Sequence, residues 1–276
     1  MLIALLRNQS GPRFMAALVV SILLVVMNAT NLVYSVGSRF PPGDFVAFYS
    51  SAQLLVDGHG SQIYNLDMQH STQTLIREAA GRRTLPNPFP MAYFAAFMLP
   101  VVPFVSLPLM PAYLLWTALN LILTFVAMFR LAQAFRLPRS FMWLVGLGYF
   151  PLLFGFVWGQ VSAWLLVGIT EAYLAWRSRR NAQSGLWLSL LLVKPQYLVL
   201  PVVLLLWKRQ WRALGALAVA GVTLVGLSFL LIGPGGVQDY LSVLLGQGAC
   251  AWFAVQQRPR HEQLAGARCQ SLACLR

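Results

Sequence analysis

Asp44 and Lys194 are the two residues of this 276-residue chain whose placement asks for chemistry. Asp44 is one of only seven acidic residues, and it stands in PPGDFVAFYSSAQLLVDGHGSQIY, just after an apolar run long enough to cross a bilayer. A carboxylate at the mouth of a membrane span can act as a general base toward a sugar hydroxyl that attacks an activated carbon. An Asp before an apolar helical run is also a preferred N-cap, so both readings stand. Lys194 interrupts GLWLSLLLVKPQYLVLPVVLLLW, where an ammonium costs roughly 2.5–3.5 kcal/mol on insertion scales. Such a cation either lines a cavity, where it can hold a phosphate, or snorkels to the interface. Gln160, in Trp158-Gly159-Gln160 at the turn between two apolar runs, can bind a polar ligand or satisfy the start of its own helix.

The other polar residues carry less. Asp57 precedes Gly58 and reads as a turn residue, while Asp67 and Glu78 read as a solvated face. Glu171 lies two turns from Arg177 and is expected to snorkel or to pair with it. His59 and His70 have no third ligand at metal spacing, and one isolated carboxylate does not make a divalent-cation site. No metal and no cofactor is expected.

These residues must be positioned by membrane elements, because the chain is 58% hydrophobic and only 10% charged. The only polar stretch of any length, residues 37–90, is too short for an independent core. A net charge of +13 falls in small clusters between apolar runs, the pattern of cytoplasmic loops and not of nucleic-acid binding. Arg7 and Arg13 put the N-terminus in the cytoplasm and residues 37–90 outside, with Asp44 on the outer face. The run from Phe14 to Val36 is too long for a signal-peptide core and reads as a retained anchor. The clusters Arg130/Arg136/Arg139, Arg177/Arg179/Arg180 and Lys208/Arg209/Arg212 are then all cytoplasmic.

Parity creates two problems with one solution. No charge occurs from Thr84 to Phe129, roughly 69 Å as helix, which is too much for one crossing and wrong in sidedness for two. PFPMAYFAAFMLPVVPF is therefore expected to dip and be broken by proline, followed by one span over 109–132; such backbone needs protein or a cavity around it. The stretch between Arg180 and Lys208 is likewise expected to form two short arms meeting at Lys194-Pro195. Further spans are expected at 141–158, 160–176 and 214–232, giving an all-α integral membrane protein with about five full spans and two Pro-broken elements. Residues 62–81 suit a short helix lying on the membrane surface.

From Gln247 the apolar periodicity stops, and all three cysteines, Cys250, Cys269 and Cys274, lie beyond it. The chain divides into a membrane domain, 1–246, and an atypical tail, 247–276. His261–Gly266 can be encoded by CATGAACAACTGGCGGGG, which read one nucleotide later gives MNNWRG, so the tail is expected to arise by frameshift; an ordinary disordered tail is the alternative.

Taken together, GDFVAFYSSAQLLVDGHGSQIY, NPFPMAYFAAFMLPVVP with AYLLWTALN, WGQVSAWLLVGI and GLWLSLLLVKPQYLVLPVVLLLWKRQWR resemble glycosyltransferase family 87 of the C-type glycosyltransferase superfamily. The resemblance runs over about residues 14–245. It implies a membrane enzyme that moves a hexose, mannose above all, from a polyprenyl-phosphate donor to a lipid-linked or glycan acceptor on the outer face of the cell membrane, with inversion. Asp44 matches the family's base, and Gly159-Gln160 and Lys194-Pro195 match its Gly-Gln and Lys-Pro pairs. Tyr49 and Tyr64 join Gln160 and Lys194 as expected substrate contacts. Two departures loosen the substrate assignment: PNPFPMAY replaces a Tyr-x-Tyr-Pro-Pro-like entry, and Ser162 replaces an expected Asn. The family continues for further spans, so a truncated and inactive member is a further reading. A transporter or lipid flippase using Lys194 and Glu171 is the rival from another class, and inverted repeats would favour it; none is found.

Overall fold

A computed structural model describes residues 12–37, 43–81, 88–137 and 155–246. Among them every regular element is helical. The first, α1 (Pro12–Gly37), opens on a proline, which is tolerated in a first turn whose N–H groups have no intrahelical partner. Then come α2 (Gly43–Val56), a 3-10 turn at Gly60–Gln62 and α3 (Leu66–Ala79). Two more 3-10 turns, Ala95–Met98 and Val102–Phe104, lead to α4 (Leu109–Phe135). After the short helical stretch 155–158 come α5 (Ser162–Arg177), α6 (Asn181–Leu188), two 3-10 turns flanking Lys194, α7 (Val199–Trp207) and α8 (Trp211–Gly246). Most of the expected span 141–158, and the whole tail 247–276, lie outside the described residues.

Two described helices, α4 and Trp211–Leu245 of α8, are long and apolar enough to cross a membrane. Their outward side chains are apolar too, with Leu230 and Leu245 each 80% exposed. Lipid is the solvent that such a surface matches.

The elements expected to be broken are broken. Residues 91–107 contain no α-helix, only short 3-10 turns among Pro90, Pro100, Pro103 and Pro108. Proline removes the donors a helix would need there. Lys194 leaves helical geometry altogether (φ −132°, ψ 83°), as a residue before proline tends to do.

Three helix ends gather at one end of the bundle. α4, α5 and α7 each terminate on an arginine in the left-handed conformation, Arg136, Arg179 and Arg209. In each the following amide closes back on the last turn: Leu137 N donates to Ala132 O (2.9 Å), Arg180 N to Ala175 O (2.9 Å) and Gln210 N to Leu205 O (2.8 Å). The left-handed state costs a non-glycine residue about 1–2 kcal/mol, and a cation at the negative end of a helix offsets part of it. Side chains tie the ends together: Asn181 Nδ2 donates to Gln210 Oε1 (2.6 Å) and Arg177 Nη1 to Ala134 O (2.9 Å). Glu171 binds Arg130 of α4 through two 2.7 Å hydrogen bonds, so it does pair, but across helices and not with its neighbour Arg177. Sequence spacing sees only partners on the same helix.

The opposite end departs from expectation in three ways. α2, read as part of a polar loop, buries nearly its whole surface, with Phe45, Val46 and Ala52 fully enclosed. α3 buries the polar side chains Gln69, Gln73 and Arg77, spaced four apart, and leaves Leu75 66% exposed, the reverse of an apolar face turned inward. The two glutamines act as a substitute strand. Gln73 accepts from Phe89 N and donates to Phe89 O, both at 2.9 Å; Gln69 accepts from Met91 N (2.9 Å) and donates to Ile63 O (2.6 Å). An extended segment cannot satisfy its own amides, and these side chains do it. Finally, α8 does not end at Ile232. It kinks at Gly233 (φ 63°, ψ −177°) before Pro234 and continues to Gly246. The kink rests on the Gly60 turn, where any side chain would collide with Leu231 O, and the second arm sets Tyr240 against Tyr64 (ring centroids 4.7 Å apart).

Candidate functional site

The site starts from a glycine. The helical stretch 155–158 ends at Gly159, whose φ of +68° a β-carbon disfavours, and Gln160 N closes onto Gly155 O at 2.7 Å. Two α4 side chains hold this end: Tyr113 OH donates to Phe156 O (3.1 Å), and Trp116 Nε1 donates to Gly159 O (2.8 Å). Because Gly159 lacks a side chain, Phe45 of α2 packs directly on its Cα, where a β-carbon would overlap Phe45 Cβ. Rings of Tyr113 and Trp116 close around Phe45, 5.7 and 6.2 Å away. Asp44, next to Phe45, is thereby brought against Gln160.

Lys194 arrives from the break between α6 and α7. Its Nζ donates to Gln160 Oε1 at 3.3 Å. The side chain of Gln160 also hydrogen-bonds Asp44, and Lys194 acts on Asp44 through its charge. One amide orientation serves both neighbours, oxygen toward the ammonium and NH2 toward the carboxylate. The result is a row: carboxylate, amide, ammonium. Burial pushes the Asp44 carboxyl above its usual range, while the Gln160 hydrogen bond and the Lys194 charge pull it back down. Asp44 is the second residue of α2, so it lies inside the first turn and not at the cap, in the favourable field of the helix N-terminus.

Sequence reasoning missed two residues here. Tyr93 presents its ring to Phe48 (5.3 Å) and has its carbonyl held by Tyr64 OH (2.6 Å), which leaves its phenol in the electrostatic field of Asp44 and Tyr197. Tyr197, 53% exposed, stands one turn past Lys194, and its N–H donates to Lys194 O (3.0 Å). The only signal for either was proximity to a broken segment. Tyr49 and Tyr64 have a different setting from the expected one. Both are buried, Tyr49 OH donates to Leu107 O (2.7 Å), and Tyr64 OH is committed to Tyr93 O. Asp57, Asp67, Glu78 and His59 are exposed, and His70 is half-buried.

Among the described residues every regular element is helical, two helices are long and apolar enough to cross a membrane, and a polar row lies at one end of the bundle, which together define the class of a helical membrane protein. The model of glycosyltransferase family 87 matches residues 92–270, more than half of the chain, and the protein belongs to that family of membrane C-type glycosyltransferases. Membership implies glycosyltransferase activity on a sugar donor and an acceptor. The matched range contains Tyr93, Gln160, Lys194 and Tyr197 but begins after α2, so Asp44 joins the site on geometry. No curated protein and no solved structure matches the chain.

Proposed function

We propose that the protein transfers a hexose, mannose in the first instance, from a polyprenyl-phosphate donor to a hydroxyl of a lipid-linked or glycan acceptor, with inversion. The observation that carries this reading is the row Asp44–Gln160–Lys194, built from three segments far apart in sequence. Asp44 takes the proton of the acceptor hydroxyl as its oxygen attacks the anomeric carbon. The bond from that carbon to the phosphate oxygen breaks, and its electron pair leaves on the polyprenyl phosphate. Lys194 neutralises that charge where it develops. Gln160 spaces base from cation and offers its amide to the sugar between them. Tyr49 and Tyr64 serve by anchoring the segments that carry Tyr93 and α2.

The reading includes about five full spans, two broken elements and a reaction on the outer face. The three arginine-terminated helix ends support this sidedness, because they collect at one end and the row lies at the other. α5 separates them by 16 residues, about 24 Å of helix, most of a hydrocarbon core. The rival flippase path would use Lys194 together with Glu171, and Glu171 is instead bound to Arg130 toward the basic end.

The test is Asp44→Asn in proteoliposomes supplied with a polyprenyl-phosphate hexose. Transfer should fall on the order of 10²- to 10⁴-fold while the donor still binds. Losing the charge in the first turn costs the helix only about 0.3–1 kcal/mol, so the Asn variant still folds, and full transfer by it would reduce Asp44 to a structural residue and remove the proposed mechanism.

A further inference from the structure

The turns α5–α6 and α7–α8 have the same construction. In each the first helix closes on a left-handed arginine, Arg179 (φ 59°) in one and Arg209 (φ 52°) in the other, and the second helix starts two residues later, at Asn181 or Trp211. A hydrogen bond staples them side by side, Asn181 Nδ2 donating to Gln210 Oε1 at 2.6 Å. Five cations, Arg179, Arg180, Lys208, Arg209 and Arg212, lie within two residues of that bonded pair, and all five are exposed. No described carboxylate pairs with any of them; the nearest in sequence, Glu171, is taken by Arg130. Like charges crowded in this way repel one another until an anion sits among them. Two tryptophans frame the cluster: Trp207, 75% exposed with Lys208 Nζ 4.8 Å from its ring centre, and Trp211, 65% exposed. Beyond them α7 and α8 expose Val203, Leu206 and Val219. Tryptophan between cations and an apolar surface is the arrangement of a membrane–water interface.

We infer that the two stapled turns form a site for the headgroup phosphate of one anionic phospholipid, at the basic end of the bundle and away from the polar row. This site does not depend on the transferase reading. Guanidinium groups meet phosphate oxygens through paired, charge-assisted hydrogen bonds, so Arg179 and Arg209 are suited to share one phosphate between the turns. The chemistry of phosphate alone would fit a free ion equally well. What selects a lipid is the frame: exposed tryptophans at headgroup depth and, beyond them, an apolar face along which acyl chains can lie. Basic loops attract any anionic leaflet in a diffuse way. A built site differs because it also needs the staple, which fixes the spacing of the two arginine turns without carrying charge itself.

Trp207 reports on the site directly. The full chain is reconstituted in phosphatidylcholine vesicles carrying a minority of phosphatidylglycerol with brominated chains, and quenching of Trp207 is read as the difference between the wild type and Trp207→Phe. Brominated phosphatidylglycerol should quench more strongly than the same fraction of brominated phosphatidylcholine, and should saturate. Arg179→Asn and Arg209→Asn each remove one charge while keeping a residue that accepts the left-handed state. Each should raise the phosphatidylglycerol fraction for half-maximal quenching about fivefold, the factor that one basic side chain contributes beside an anionic lipid surface. Asn181→Ala and Gln210→Ala break the staple from either side with no change of charge, and should raise it by a comparable factor. Arg136→Asn, an equal loss of charge outside the stapled turns, should leave it unchanged. Equal quenching by the two brominated lipids would overturn the site. So would a response to Arg136→Asn as large as that to Arg209→Asn, or none to the two staple variants, since only diffuse attraction to an anionic leaflet would then remain. Loss of the excess quenching in millimolar inorganic phosphate would mean that the turns take the free ion, and would overturn the lipid assignment as well.

Discussion

At Asp44 three influences meet, and burial is the largest of them. A base must be deprotonated to work, and a carboxyl pushed up by burial needs a higher pH to lose its proton. The acid limb of kcat/KM should therefore lie above the usual carboxylate range. Gln160 and Lys194 both hold the carboxylate form, so Gln160→Leu and Lys194→Met should each move that limb further up. A limb that stays put in both variants would mean that another group titrates. Gly159 sets the geometry of the same row. Gly159→Ala adds a β-carbon at positive φ and drives it into Phe45, which should separate Asp44 from Gln160. A displacement of about 1 Å can cost on the order of 10²-fold in rate, so kcat should fall by that order with donor binding little changed; equal losses in both would point to general unfolding. Asp44 was legible in the sequence because acids are scarce, and Lys194 because a buried ammonium is costly. Gly159 was legible only as half of a short motif, since the ring that needs its missing side chain comes from α2.

Among the elements, the clasp between α3 and the extended segment 88–91 stands out because it joins two parts that lack a sheet or a shared helix. Gln73→Leu keeps the size and removes both bonds to Phe89, leaving a half-buried N–H and C=O without that partner. Each such group costs roughly 1–3 kcal/mol, so thermal unfolding should shift down clearly. Activity should fall as well, because Tyr93 lies four residues beyond Phe89. A Leu variant as stable as wild type would show that water replaces the clasp. At the basic end the opposite sign is expected. Arg209→Gly removes the left-handed penalty, and α7 should gain up to about 1 kcal/mol, less what the lost cation contributed at the helix end. Neither feature can be read from periodicity: glutamines at positions 69 and 73 look like a solvated face until an extended strand needs their amides.

On the scale of the whole molecule, the arginine-terminated ends of α4, α5 and α7 lie at one pole and the row Asp44–Gln160–Lys194 at the other. Single cysteines at Asp67 and Ser178, in a chain freed of its native cysteines, should be labelled from opposite sides of the membrane by an impermeant thiol reagent. Labelling of both from one side would place the row and the arginines on the same face and remove the outer-face assignment. Sequence alone determined the helical membrane class, the breaks at prolines and the candidates Asp44, Gln160 and Lys194, because apolar length, proline chemistry and the cost of charge are local properties of the chain. The tertiary structure decided which candidates meet, that Glu171 answers to Arg130, that α8 kinks and continues past Ile232, and that Tyr93 and Tyr197 flank the row. The reason is physical. In a membrane protein a leucine facing lipid and a leucine facing the core look alike in sequence, so packing partners are set by close approach at Gly60 and Gly159 and by hydrogen bonds between distant segments, neither of which leaves a periodic trace.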